Sequence, residues 1–371
     1  MNMKLPTPCH IIDLDRLEQN LAKIKLLKNK ANCHVLLAVK GFSSPVLFPL
    51  LRHCLDGISA SGLFEARLGR EQFRSFVQTF SPAFTKQNFP QIAHFSNRII
   101  FNSIQQLQTF HGIAQAYGCD CGLRINPECA VNLRQGINPC QRYSRLGVRI
   151  GDMDQVPFRQ IKGLHLHTMC EQQADILSHT IEYLISHYDN YLRKIQWLNL
   201  GGGQLLGHSN YDLDLAIYSL NHLHERYDLE LFLEPCEGIF TDVGYFATTV
   251  VDIVENEKQI AILDSSAICH FPDAPYRGWE REIVDADQKD CLYSYELAGP
   301  TCYAGDIFGT YTFRHPLAVG DVLYFRDTAT YSMVKSNMFN GIPLPSLAFY
   351  SKAGGLKIKK QYDYNNYFLN L

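Results

Sequence analysis

Between residues 35 and 234, short apolar runs recur, each followed by a stretch that reads as helix or turn. This alternation constrains the fold more than any other feature of the chain. The runs are 35–39 (VLLAV), 57–60 (GISA), 76–80 (FVQTF), 98–101 (RIIF), 121–125 (CGLRI), 163–167 (GLHLH), 195–200 (IQWLNL) and 230–234 (ELFLE). Amphipathic segments at 14–30, 104–117, 173–193 and 213–227 fill several of the gaps. Parallel strands buried on both faces carry unbroken apolar runs and need helical crossovers between them. Eight such runs fit a closed TIM (β/α)8 barrel better than an open sheet. After about residue 245 the texture becomes β-rich, as in 248–254 (TTVVDIV), 259–263, 291–297 and 322–325. The expected architecture is an α/β chain with a barrel over 14–247 followed by a C-terminal all-β domain over 248–371. The opening segment 1–13 joins that second domain through the strand-like 8–13.

Composition excludes several classes. Basic residues number 34 and acidic ones 37, a net charge of −3, so no surface points to nucleic acid. No apolar run has the length of a membrane span, and the first residues lead into no signal-peptide core, which predicts a cytoplasmic protein. The 12 cysteines include no CxxC pair; most should be buried thiols in a reducing compartment.

In a barrel of this type, chemistry sits at the C-terminal ends of the strands. Lys40 ends the first, Ser59 and Ser61 follow the second, and Arg124 and Asn126 end the fifth. His165 and His167 lie on the sixth, Asn199 and Gly201-Gly202-Gly203 follow the seventh, and Glu234 ends the eighth. A desolvated lysine is a nucleophile able to form a Schiff base, although a lysine ending a strand can equally reach for solvent. Three glycines let a backbone approach an anion and present several N–H groups to it, although they also suit a tight turn. Together, an amine and a phosphate cradle suit pyridoxal 5′-phosphate. Glu234 could keep its pyridine nitrogen protonated and His167 could lie on the ring face. His165 and His167 could instead hold a metal, but metal-dependent hydrolysis leaves Lys40 and the glycines unexplained, so no metal is expected.

Lys40 in LAVKGF, His167 in HTMCE, LNLGGG at 198–203 and EPCE at 234–237 resemble the fold-type III, alanine-racemase-like pyridoxal phosphate decarboxylases. So do GPTCYAGD at 299–306 and ATYSMVK at 329–335, and the likeness covers nearly the whole chain in order. Within that family, CHFPDAPYR at 269–277 and YSMVKSNMFNG at 331–341 look like the branch acting on carboxylated polyamines such as carboxynorspermidine. Two departures stand near the cofactor: Cys236 replaces a glycine, and HTMCE replaces the more usual HNLCE.

The resemblance implies that Lys40 carries the cofactor and that Cys302, supplied by the partner subunit of a homodimer, returns a proton to Cα. It implies that Tyr331 and Gly201–Gly203 hold the phosphate. It implies substrate contacts from Glu237 and Asp273, and the charge of Asp306 near the same mouth would add a third. Three carboxylates there would suit protonated amines. Decarboxylation of another amino acid, such as meso-diaminopimelate, and a non-catalytic cofactor-binding homologue are the rival readings.

Overall fold

The computed structural model describes residues 5–129, 137–272 and 281–371. The chain divides into two compact units, Asn20–Ile239 and Met1–Gln19 with Phe240–Leu371.

The first strand, β1 (Cys9–Asp13), belongs to the second unit. The first unit is a closed barrel of β2 (Cys33–Ala38), β3 (Gly57–Ala60), β4 (Phe76–Phe80), β5 (Arg98–Phe101), β6 (Asp120–Asn126), β8 (Gly163–His165), β9 (Trp197–Asn199) and β10 (Glu230–Leu233). A two-residue strand, β7 (Val148–Arg149), lies beside β6. Every pairing is parallel, and β10 closes the ring by pairing Leu231 with Cys33 and Leu233 with Val35. The expected eight-stranded barrel is therefore observed. Several strands are shorter than their apolar runs, because the backbone turns over the barrel mouth once pairing ends. Lys40 lies two residues past β2, His167 two past β8 and Glu234 one past β10, so none of the three is on a strand.

The helices Leu14–Ala31, Ile104–Ala116, Ala174–Leu192 and Leu213–Tyr227 answer the amphipathic segments. Two open on side-chain caps: Ser103 Oγ accepts from Gln106 N, and Asp212 Oδ1 accepts from Leu215 N. At the last one's end, Asp228 turns into the left-handed region at φ +54°.

The lower barrel is filled by one large ring. Trp197 is fully buried because β6 and β8 carry glycines beside it; a Cβ on Gly122 or Gly163 would lie 2.2 or 2.0 Å from the indole. The Arg98 guanidinium stacks 3.9 Å from the Trp197 ring centroid and 4.3 Å from that of Phe232.

The second unit is built on a sheet of order β14-β13-β12-β11-β1-β16-β17, with β15 also paired to β11. Its strands are β11 (Gly244–Glu255), β12 (Gln259–Leu263), β13 (Tyr293–Ala298), β14 (Ile307–Phe313), β15 (Val322–Arg326), β16 (Ser346–Ser351) and β17 (Gly355–Lys360). β1 runs antiparallel to β11 and parallel to β16, so the start of the chain is an interior strand of the last sheet. Phe246, Phe271, Phe308 and Phe325 form the centre of its core.

His10 of β1 is buried edge-on to Phe246 at 5.0 Å, with neither ring nitrogen hydrogen-bonded among the described residues. Burial, and secondarily His270, push its pKa down to about 3, while burial takes that of His270 to about 4. Below the ordinary histidine pKa of ~6.5, the unfolded chain takes up protons that these rings refuse, so stability falls as pH drops from there towards about 3. His10→Phe keeps the ring and removes one titrating group. Denaturant midpoints measured at several pH values should then fall less steeply through that window, and an unchanged slope would exclude the assignment.

Candidate active site

Side chains alternate across a strand, so one parity of each barrel strand faces the bore. Strand register decides which of these inward residues meet. Ala38 aligns with Ser59 and Ser59 with Gln78. On the other side Arg124 aligns with His165, His165 with Asn199, and Asn199 with Phe232. The parity that puts Arg98, Trp197 and Phe232 at the bottom thus brings Gln78, Arg124, His165, Asn199 and Glu234 towards the C-terminal mouth.

Glu234 is the centre of this layer. Its Oε1 accepts from Gln78 Nε2 at 2.7 Å and from Asn199 Nδ2 at 2.8 Å. His165 Nε2 stands 3.8 Å from the same oxygen. Burial, then the charges of Arg124, His167 and Lys40, hold the His165 pKa well below its usual value, so it faces the carboxylate as a neutral ring. Arg124 is buried, with its guanidinium 4.7 Å from the Phe80 ring centroid. Burial lowers its pKa to about 10, against attraction from Cys140 and Glu234, and it stays cationic at neutral pH.

Lys40 is exposed, in the turn after β2. The turn rests on Cys236: a Cβ on Gly41 would come within 2.6 Å of the Cys236 sulfur. That thiol is buried, and burial ahead of the nearby Glu237 raises its pKa, so it is a neutral packing group beneath the lysine-bearing turn.

His167 Nδ1 accepts from Gly202 N at 3.3 Å. Burial first, then Lys40 and Arg124, keep its pKa well below the usual value, leaving a neutral imidazole whose proton is on Nε2.

The three glycines are required by backbone approach. A Cβ would lie 2.5 Å from Leu166 O at Gly201, 2.3 Å from Glu234 O at Gly202 and 2.3 Å from Met169 O at Gly203. Gly201 and Gly203 also have positive φ, +69° and +100°. Their hydrogen bonding corrects one expectation. Gly201 N donates to Asn199 Oδ1 and Gly202 N to His167 Nδ1, so two of the three N–H groups are already engaged. The Gly203 N–H, the third, has no acceptor among the described residues.

The remaining expected residues fall elsewhere. Glu237 is half-buried, and its carboxylate gathers with Glu171 and Cys170, their ligand atoms within 4.8 Å of one another. Among the described residues, His165 and His167 are not part of any such group. Asp273 lies outside the described residues. Cys302, Tyr331 and Asp306 belong to the second unit. Cys302 is exposed and receives a contact from Asn340 Nδ2 at 3.1 Å. Tyr331 precedes the short helix Ser332–Lys335 at φ +57°.

Asp306 is corrected. It is buried, with Oδ1 taken by Ala267 N at 2.7 Å and Ser266 Oγ at 3.0 Å, and Oδ2 by Thr301 Oγ1 at 2.7 Å. A carboxylate so satisfied holds its own domain together and is not a substrate ligand. Gln78 is the residue that sequence reasoning missed. Its signal was a lone amide inside the apolar strand FVQTF.

A primary amine, a fixed carboxylate, a neutral imidazole and an open backbone N–H suit pyridoxal phosphate. Buried atoms with no partner among the described residues, including Arg124 Nε, His165 Nδ1 and Thr168 Oγ1, mark the same region as polar. The residues present therefore fit the cofactor.

Comparison with known proteins gives four results. Residues 16–329 match the profile of the family described as pyridoxal-dependent decarboxylase, C-terminal sheet domain. The chain is 35% identical to a carboxynorspermidine/carboxyspermidine decarboxylase of Campylobacter jejuni, over 99% of this chain and 98% of that protein. It is 36% identical to a carboxyaminopropylagmatine decarboxylase of Synechocystis, over 98% and 95%. The crystal structure of carboxynorspermidine decarboxylase complexed with norspermidine, from Campylobacter jejuni, superposes with a TM-score of 0.91 at 33% identity, covering 99% of this chain and 100% of that one.

Proposed function

The chain belongs to the pyridoxal-dependent decarboxylase family, and from that premise we propose that it decarboxylates carboxynorspermidine or carboxyspermidine to norspermidine or spermidine in polyamine biosynthesis. It is a carboxy-lyase that depends on pyridoxal phosphate. The observation carrying the substrate reading is the pairing of Glu171 with Glu237, whose ligand atoms and that of Cys170 lie within 4.8 Å of one another. Cys170 follows directly on the backbone that packs against Gly203. Two carboxylates together attract a distal ammonium and repel a distal carboxylate. They favour a carboxylated polyamine over meso-diaminopimelate. Identity of 35% to a carboxynorspermidine/carboxyspermidine decarboxylase supports the same choice. A second reading, carboxyaminopropylagmatine, rests on the 36% identity to a decarboxylase of that name.

In this reading Lys40 holds the cofactor's aldehyde and Glu234 meets its pyridine nitrogen. His167 lies against the ring, and Gly203 with Tyr331 holds the phosphate. Bound pyridoxal phosphate supplies an electron sink for the pair left at Cα as CO2 departs. The chain's own groups do the rest. Glu234 keeps a negative charge next to the pyridine nitrogen, and His167 contributes a ring without charge. Cys302 holds on its sulfur the proton that returns to Cα. We assign Cys302 to a second copy of this chain, so that a homodimer completes each site. A cytoplasmic setting accords with the free thiols.

Product analysis with carboxynorspermidine, carboxyspermidine, carboxyaminopropylagmatine and meso-diaminopimelate tests the substrate. We expect kcat/KM for a carboxylated polyamine to exceed that for diaminopimelate by roughly 10²-fold or more. Preference for diaminopimelate would sink the polyamine reading, and preference for carboxyaminopropylagmatine would select the second. Glu237→Gln should raise KM while the cofactor stays bound. Cofactor loss in that variant would remove its substrate role.

A further inference from the structure

We propose that Gln78 and Asn199 are positioning residues that orient Glu234 by donating two N–H bonds to one of its oxygens, leaving the other for the cofactor's pyridine nitrogen. The proposal rests on the pyridoxal phosphate reading and concerns the residues that hold Glu234 in place.

The geometry is specific. Both amides donate to Oε1, at 2.7 and 2.8 Å, and among the described residues no side chain donates to Oε2. With two N–H donors on it, Oε1 has no room for a proton, so Oε2 is the oxygen left to meet one. Neither amide can turn over to relieve the constraint. Asn199 Oδ1 already accepts Gly201 N at 2.8 Å, which commits Nδ2 to Glu234. Turning Gln78 would aim its carbonyl oxygen at the carboxylate. Register supplies both side chains from different walls of the barrel: Gln78 pairs across to Ser59, and Asn199 to His165. All three groups are buried, so water cannot take over these bonds.

Asn199 has a second consequence. It bridges Glu234 and the N–H of Gly201, so one side chain sets the distance between the carboxylate and the glycine loop.

Asn199→Asp and Gln78→Glu keep shape but turn a donor into an acceptor. Two carboxylates then meet on a buried contact and share a proton, which raises the pKa of the pair. With the purified protein loaded with pyridoxal phosphate, we expect kcat to fall roughly 10²-fold while KM moves less than about 3-fold. The absorption of the bound cofactor should gain a transition between about pH 6 and 9 that the parent protein lacks. Gln78→Met removes the donor without adding charge and should lower kcat by a smaller factor without that transition. It also serves if the charged variants do not fold. Wild-type spectra and kcat in these variants, with only a lowered Tm, would assign both residues to barrel packing and overturn the inference. If the parent protein itself takes up no pyridoxal phosphate, the cofactor reading fails, and this inference fails with it by a distinguishable route.

Discussion

Lys40→Ala is expected to lose decarboxylation by roughly 10⁴-fold or more and to give up its cofactor on desalting. The parent protein should carry the absorbance of bound pyridoxal phosphate, and borohydride should fix that cofactor to Lys40. Neither should be seen in the variant. The fold has little reason to suffer, because Lys40 is exposed in a turn after β2. What supports that turn is Gly41 resting on Cys236, and both stay in place. The charge of Lys40 is the second cause, after burial, of the low pKa of His167. Its removal should therefore let that ring titrate somewhat higher without bringing it to its ordinary value. Retained cofactor with retained turnover would exclude Lys40 as the anchor.

Cys302→Ala is expected to lower kcat by about 10²–10⁴-fold with cofactor binding intact, as for loss of a general acid. The residue is exposed and receives a contact from Asn340 at 3.1 Å, so truncation removes little packing. Mixing this variant with Lys40→Ala tests the shared site. If each site combines Lys40 of one copy with Cys302 of another, random exchange leaves about one site in four intact, and activity returns to roughly a quarter of the parent level. No recovery after subunit exchange would argue that both residues act within one chain. Unchanged kinetics of Cys302→Ala alone would remove its assigned role.

Much of the fold was legible from the chain. The runs 57–60, 76–80 and 98–101 are strands with those bounds, and 213–227 is a helix as expected. The candidate residues were less evenly visible. Lys40, Glu234 and the glycines stood out because they interrupt apolar runs at strand ends. Gln78 did not, since one amide in FVQTF looks like any polar residue on a half-buried strand. Asp306 misled for the opposite reason. It follows a cysteine-bearing motif, yet its partners Ser266 and Ala267 lie some forty residues away in the chain.

The barrel and the β-rich second domain follow from amino-acid order, because strand and helix periodicities are local and are written in the succession of apolar residues. The residue types that ring the barrel mouth follow from the same order. Which atoms of those residues meet depends on how distant strands align. Closure of β10 on β2 and the register of β3 with β4 and β8 with β9 bring Gln78 and Asn199 onto one oxygen of Glu234. The same folding engages two of the three glycine N–H groups and buries Asp306 in its own domain. Those pairings join residues far apart in the chain, and a hydrogen bond is decided by tenths of an ångström that no local pattern encodes.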